Sequence, residues 1–355
     1  MTNPFKFGTV VEKEFFTDRE KESSIIATFL SGQNHLIIIS PRRYGKTSLI
    51  LRVSGALKRP VIYLDLQSVT DTVDLANMLM KRVMQVSKWE SLKKIVAGFR
   101  VTPTVELNPA TNTVSVSFAP FTKDKFEPLS DVLNLIEKIG ESGKKPLVIL
   151  DEFQEIEAID THLAKLLRSI LQHHSHVNYV FLGSAESMMR QIFEDKKSPF
   201  YHFGHLMTLD KIPYEDFFTY LESRFSKITN NSTAIAESIL QFTGRHPYYT
   251  QQLAFYCYAY LQENEECKNL IDVVADWVIE IHNLDYEKLW GTMNRTDKKI
   301  LTALIEKKGY TETGLATSTV YSCLAKLARQ GFLIKNTTYE PDDPFFAKWI
   351  MKKRA

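Results

Sequence analysis

The stretch that most constrains this chain is residues 34–50, Asn-His-Leu-Ile-Ile-Ile-Ser-Pro-Arg-Arg-Tyr-Gly-Lys-Thr-Ser-Leu-Ile. Leu36 to Ile39 is an unbroken, largely β-branched apolar run, the pattern of a strand buried on both faces of a parallel sheet. Ser40-Pro41-Arg42-Arg43-Tyr44-Gly45-Lys46-Thr47 follows at once, and Ser48 to Val53 then has helical spacing. A strand, a loop ending Gly-Lys-Thr and a helix together make the setting of a Walker A phosphate loop. A triphosphate needs converging backbone N–H donors, and a loop wrapped at a helix N-terminus supplies them. Gly45 lets the backbone approach closely. Lys46 offers charge to the β- and γ-phosphates, and the Thr47 hydroxyl suits Mg²⁺. Pro41, Arg42, Arg43, Tyr44 and Ser48 complete the candidate binding loop. The motif's opening glycine is Ser40 here, which narrows the loop's conformational choice. The competing reading is a plain strand–helix connection that happens to carry Gly-Lys-Thr.

A second landmark lies about a hundred residues on. Lys145-Pro-Leu-Val-Ile-Leu-Asp151-Glu152 is an apolar strand ending in two acids, a Walker B pattern. Asp151 is a candidate Mg²⁺ partner, and Glu152 a candidate general base for the attacking water. Many strands end in acids, so the pattern gains its force from the Walker A loop upstream and the α/β alternation between them. Pro60–Leu66 and Asn178–Ser184 read as further buried strands, and Leu206–Ile212 as a fifth. Ser184 falls where a γ-phosphate-sensing side chain would sit; a strand-end cap is the equal alternative. Strands alternating with helices, with a glycine in the first turn, predict a parallel sheet with its ligand at the strands' carboxyl ends.

Around this frame the pattern varies. Residues 3–22 precede the first strand; they read as an edge segment covering the sheet, or as placing Val10, Val11 or Phe16 against adenine. Thr17 or Asp18 is the expected cap of the helix that reaches Leu30. An amphipathic helix runs from Val73 to Val86. At 99–119 the period changes to strict alternation about a turn at 108–112, which predicts a β-hairpin. From Tyr214 to about Met293 the patterning is helical, broken at Thr243-Gly-Arg-His-Pro247. Residues 296–355 read as helix, short helix, helix and a small hairpin, the order of a winged helix-turn-helix, with Thr296 the expected first cap. This block carries 11 Lys and Arg against 6 Asp and Glu, about +5, on a chain whose total is only +2. Its presumed recognition helix shows Ser318, Tyr321, Ser322, Lys326 and Arg329, a modest basic face that suits duplex DNA or is simply solvated.

The remaining exclusions come from composition. Cys257, Cys267 and Cys323 show no metal-ligand spacing and read as reduced thiols. The N-terminus lacks the apolar core of a secretory signal, and no run approaches the ~20 apolar residues of a membrane span. These features point to the cytoplasm.

Taken together, Asn3-Pro-Phe5, Phe16-Thr-Asp-Arg-Glu20, Pro41-Arg-Arg-Tyr-Gly-Lys-Thr47, Leu150-Asp-Glu-Phe-Gln154, Gly244-Arg-His-Pro-Tyr248 and Asp343-Pro-Phe-Phe-Ala-Lys-Trp349 resemble the archaeal-type ATPases, P-loop proteins related to the AAA+ and STAND groups. The resemblance covers nearly the whole chain. It implies a P-loop nucleotide-binding domain over 1–213, a helical lid over 214–294 and a winged helix over 295–355. It also implies that His246 and Pro247 lie near the nucleotide from the lid side. At Gly204-His205 the family usually has Gly-Arg, so an arginine suited to transferred phosphate is replaced by histidine; Arg190 and Arg245 are the remaining candidates. The expected activity is slow ATP hydrolysis to ADP and phosphate with Mg²⁺, acting as a nucleotide-dependent switch. The rival readings are an ATP-gated DNA-binding regulator or loader, and a non-hydrolysing scaffold for a protein partner or a homo-oligomer.

Overall fold

The computed structural model describes residues 2–9, 15–17, 19–108, 113–118, 124–264, 268–308, 310–335 and 338–354. The chain divides by its contacts into two compact units. One comprises Glu20–Ser40 and Lys46–Leu209; the other comprises Met1–Arg19, Pro41–Gly45 and Asp210–Ala355. They are called the sheet unit and the helical unit below.

The sheet unit opens with α1 (Glu20–Ser31), β1 (Leu36–Ile39), α2 (Lys46–Ala56), β2 (Val61–Asp65), α3 (Thr72–Val86) and α4 (Trp89–Val96). A hairpin of β3 (Thr104–Asn108) and β4 (Thr113–Ser117) follows, then α5 (Glu127–Ile139) and β5 (Leu147–Asp151). The unit ends with α6 (Ile156–Ile159), α7 (Leu163–Leu171), β6 (Asn178–Gly183), α8 (Glu186–Glu194) and β7 (His205–Thr208). Its sheet has the order β2-β5-β6-β1-β7, and every pairing is parallel. The three central strands are buried at every position, whereas edge strand β2 alternates. This is what a sheet covered on both faces requires: continuous apolar runs in the middle, relief only at the rim. Leu75, Leu79 and Val83 of α3 and Leu129, Val132, Leu133 and Ile136 of α5 belong to an apolar cluster on one face of this sheet, with Ile37, Val148 and Phe181. Asp71 starts α3 by accepting the Val73 and Asp74 amides at 2.8 and 2.9 Å, the usual N-cap arrangement.

The fifth strand is shorter than its apolar run suggests. β7 pairs with β1 only from His205, opposite Leu36, to Thr208, opposite Ile39. A four-residue partner sets its length, and one further bond, Leu209 N–H to the Ile39 carbonyl at 2.9 Å, finishes the pairing. The 99–119 hairpin is present and antiparallel, with Val105 opposite Val116; its turn at 109–112 lies outside the described residues.

In the helical unit come α9 (Tyr214–Phe225), α10 (Ser232–Thr243), α11 (Pro247–Glu263), α12 (Leu270–Ile281) and α13 (Asn283–Thr292). After them lie α14 (Arg295–Ile305), α15 (Thr317–Arg329), β8 (Leu333–Lys335), β9 (Tyr339–Pro341) and α16 (Pro344–Arg354), with β8 and β9 antiparallel. One apolar cluster runs through all of them, from Phe217 and Tyr258 to Leu324 and Phe345. Two expected caps are corrected. Asn294, not Thr296, starts α14: its side chain accepts the Asp297 amide and the Asp297 carboxylate accepts the Asn294 amide, a reciprocal box. Thr17 does not cap α1; its hydroxyl accepts a bond from Gln251 on α11 at 3.2 Å, and Asp18 lies outside the described residues.

Within the N-terminal segment, Met1–Arg19 group with the helical unit. Phe5 is buried against Tyr220, Phe225 and Tyr258. Asn3 donates to the Phe255 carbonyl at 2.9 Å, and Arg19 to the Asp210 carbonyl at 2.6 Å. Val10 and Val11 lie outside the described residues. Among the described residues no helix is long and apolar enough to cross a membrane.

Candidate active site

Because β1, β5 and β6 run parallel with β6 in the middle, their carboxyl ends bring three segments of sequence together. These are Ser40 with Lys46 and Thr47, then Asp151 with Glu152, and Ser184 between them. Thr47 Oγ1 donates to Asp151 Oδ2 at 2.7 Å, and the Tyr63 hydroxyl donates to the same oxygen at 2.8 Å. Lys46 is only 5% exposed, with Nζ donating to the Ser40 carbonyl at 3.0 Å. An ammonium on the first residue of a helix, directly after the Gly45 turn, is placed to meet a phosphate held at that helix N-terminus. A hydroxyl and a carboxylate in contact are the hard-oxygen donor set that Mg²⁺ takes in phosphate sites. The donors present therefore fit a Mg²⁺–nucleotide.

Glu152 departs from strand geometry at once, with φ 51 and ψ 46 in the left-handed region. A non-glycine residue there carries strain of about 1–3 kcal/mol, tolerated mainly where function over-determines the conformation. The consequence here is direction: the turn brings the carboxylate to Ser184 Oγ, which donates to Oε2 at 2.7 Å, and to Gln154 Nε2, which donates to the same oxygen at 2.5 Å. Asp65 ends β2 level with Asp151. Burial pushes its carboxyl up, and the charges of Asp151 and Glu152 add to this against the opposing Gln67 amide. Burial likewise raises the Tyr63 phenol, with Asp151 reinforcing it. Asp65 and Tyr63 were not singled out in the sequence, and Gln154 was named only as the end of the Leu150–Gln154 segment, with no role. The period-2 placement of Tyr63 and Asp65 on one strand face was the available signal.

Ser40 needs no glycine. Its backbone is not in the positive-φ region that Gly45 adopts at φ +86. A Cβ at Gly45 would meet nothing within 4 Å, so conformation and not space demands the glycine there. Ser48 is the third residue of α2 and half-buried.

Pro41 to Gly45 group with the helical unit, and within it Arg43 makes the main contacts. Its backbone is left-handed, φ 64. Its guanidinium donates to the Tyr249 hydroxyl at 3.0 Å and lies 4.5 Å above the Tyr248 ring. Burial works against the Arg43 charge, but Tyr249, Tyr248 and Asp343 outweigh it and hold the group above its usual value. Burial raises the Tyr249 phenol, and the Asp343 charge adds to this. Asp343 caps α16 by accepting the Phe345 and Phe346 amides at 2.8 and 3.0 Å, and it accepts the Tyr286 hydroxyl at 3.3 Å. Burial raises the Asp343 carboxyl despite those amides. His246 is the N-cap of α11 and Pro247 its first residue. Its imidazole is 2% exposed, with the Tyr44 ring edge-on at 5.0 Å and Asp342 Oδ1 3.4 Å from Nε2. Two of the motif segments, His246-Pro247 and Asp343-Pro344, are thus helix starts of the same cap-then-proline kind. Pro41 is half-buried and Arg42 exposed.

The candidate arginine positions divide. His205 is exposed at the amino end of β7, stacked on Phe29 at 4.0 Å, the far end of the sheet unit from Asp151 and Ser184. It therefore does not face this unit's own carboxyl-end cluster. Arg190 pairs with Glu194 at 3.0 Å on an exposed face of α8. Arg245 follows Gly244 in a left-handed turn before α11.

A family model described as "ATPase domain predominantly from Archaea" matches residues 16–253. Among curated proteins no match is found. Two solved structures show the same fold. The Walker-type ATPase of Pyrococcus abyssi is 17% identical with a TM-score of 0.66, over 96% of this chain and 97% of that one. The Aeropyrum pernix ORC2 protein, solved as ADPNP and ADP complexes, is 12% identical with a TM-score of 0.50, over 99% of this chain and 98% of that one. The fold, the Walker residues and the family match agree: this chain is a nucleotide-binding ATPase and belongs to the family of ATPase domains found predominantly in Archaea.

Proposed function

We propose that this cytoplasmic ATPase works slowly, as a nucleotide-dependent switch that hydrolyses ATP to ADP and phosphate. Lys46 and the loop amides bind the phosphates, and Thr47 and Asp151 would hold Mg²⁺, which supplies charge neutralisation when bound. Glu152 takes the proton of the attacking water, and Ser184 orients that carboxylate and reads the γ-phosphate. His246 and Pro247 flank the nucleotide from the lid, residues 214–294. Residues 295–355 are a winged helix, a reading supported by the order α14, α15, β8, β9. Its recognition helix does not favour duplex DNA. Lys326 is held by Asp297 at 2.6 Å, leaving hydroxyls, Tyr321 and Arg329 on the exposed face. A protein partner or a further copy of the chain suits that face better.

The observation that carries the switch is the path within the helical unit from Arg43 in the phosphate loop, bonded to Tyr249 and coupled electrostatically with it to Asp343 at the start of α16. A loop whose strained residue is tied to two helix starts cannot rearrange around phosphate without disturbing them. The test is hydrogen exchange of α11 and α16 in nucleotide-free, ADP and ATP states. Protection of both helices should change with nucleotide. In Tyr249→Phe the α16 response should largely disappear while ATP affinity stays within about threefold. Identical exchange of both helices in all three states would refute the switch.

A further inference from the structure

We propose that Gln154, two residues past the Walker B pair, is the positioning residue that sets the Glu152 carboxylate for proton abstraction. The inference rests on the reading of Glu152 as base given above.

Gln154 lies in the short 3-10 turn Phe153–Glu155 and is 3% exposed. Its carboxamide faces a carboxylate oxygen, which only accepts, so the nitrogen must be the atom directed at Glu152. That nitrogen donates to Oε2 at 2.5 Å, and Ser184 Oγ donates to the same oxygen at 2.7 Å. Two donors arriving from different elements fix both the rotamer and the plane of the carboxylate. The Glu152 backbone is already committed to a left-handed turn, so its side chain starts from an unusual direction and needs such restraint. Room for Gln154 comes from Gly183, the last residue of β6. A Cβ there would stand 2.7 Å from Gln154 Oε1 and collide with the Met189 side chain.

The other end of the amide argues against a purely structural role. Gln154 Oε1 is buried and has no hydrogen-bond partner among the described residues. A buried amide satisfied at one end is less stable than an apolar side chain of the same size. Methionine would serve the fold at least as well; only Glu152 benefits from the N–H. When Ser184 turns toward a γ-phosphate, Gln154 is the donor that stays on Glu152.

The test is Gln154→Met, which keeps length and volume and removes the donor, measured beside Glu152→Gln. The expected result is a melting temperature equal to or above wild type, and ATP Kd and KM within about twofold. Turnover should fall roughly ten- to a hundredfold, as for a reacting group displaced by a fraction of an ångström. A structural role would lower the melting temperature instead. Wild-type kcat in a folded Gln154→Met protein, alongside slow turnover in Glu152→Gln, overturns the positioning role and leaves Glu152 as base. Wild-type kcat in Glu152→Gln overturns both. If Gln154→Met does not fold, Gln154→Leu decides the point. Its side chain cannot donate, so kcat must fall with KM intact, and an unchanged kcat overturns the proposal.

Discussion

Lys46→Ala should abolish measurable ATP binding at micromolar nucleotide while leaving the chain folded. Lys46 opens α2 at 5% exposure, and its ammonium sits against the Ser40 carbonyl at 3.0 Å. A hydrogen bond to a charged group contributes about 1.5–3 kcal/mol, and losing the ammonium removes its phosphate contacts together. The expected loss is on the order of 3 kcal/mol, or about a hundredfold in Kd. The fold should survive because the substitution removes a buried charge and leaves alanine, the best helix former, at the start of α2. Titration calorimetry, with circular dichroism as the folding control, measures both. Wild-type affinity in a folded Lys46→Ala protein would remove the phosphate loop from the binding site.

Glu152→Gln should bind ATP with near wild-type affinity and turn it over roughly 10²–10⁴ times more slowly, the range that a general base supplies. The amide keeps the side chain's shape and still accepts from Ser184 or Gln154 through its oxygen, but it has no carboxylate to take the proton. The substitution leaves the Lys46 ammonium and the Thr47–Asp151 pair in place, so binding and turnover should separate. A single-turnover assay with labelled ATP reads the rate directly. Equal rates in the two proteins would take Glu152 out of the reaction.

Much of this site is legible in the sequence because it is written in short, contiguous segments. Leu36–Ile39, Leu147–Asp151 and Asn178–Gly183 are continuous apolar runs because central parallel strands have no solvated face. Their polar ends name the site. What the sequence hides falls into three physical kinds. Gln154 hides because Glu152 leaves the strand through a left-handed turn, and no periodicity says where a side chain two residues later will point. Arg43 and Tyr249 hide because their contact closes across 206 residues. The β7 boundary hides because a strand's length depends on its partner's register, and here four residues of β1 set it. The α14 cap is a different case. Asn294-x-x-Asp297 is a legible box, and Thr296 was simply the more conspicuous hydroxyl. The aspartate of the C-terminal motif is likewise more than a marker, since it caps α16 through the Phe345 and Phe346 amides and accepts the Tyr286 hydroxyl.

The proposed switch has a consequence for rate. An arginine supplied to the transition state contributes about 10³–10⁵ in rate. His205, where the family resemblance implies an arginine, is stacked on Phe29 at the amino end of β7, and Arg190 is engaged by Glu194. The measurement that tests the account most directly is therefore steady-state phosphate release by the purified, unpartnered wild-type chain with saturating Mg²⁺-ATP. The account predicts about 10⁻⁴–10⁻² s⁻¹, by analogy with switch NTPases that lack a finger or carry their own. Turnover of several per second would contradict it.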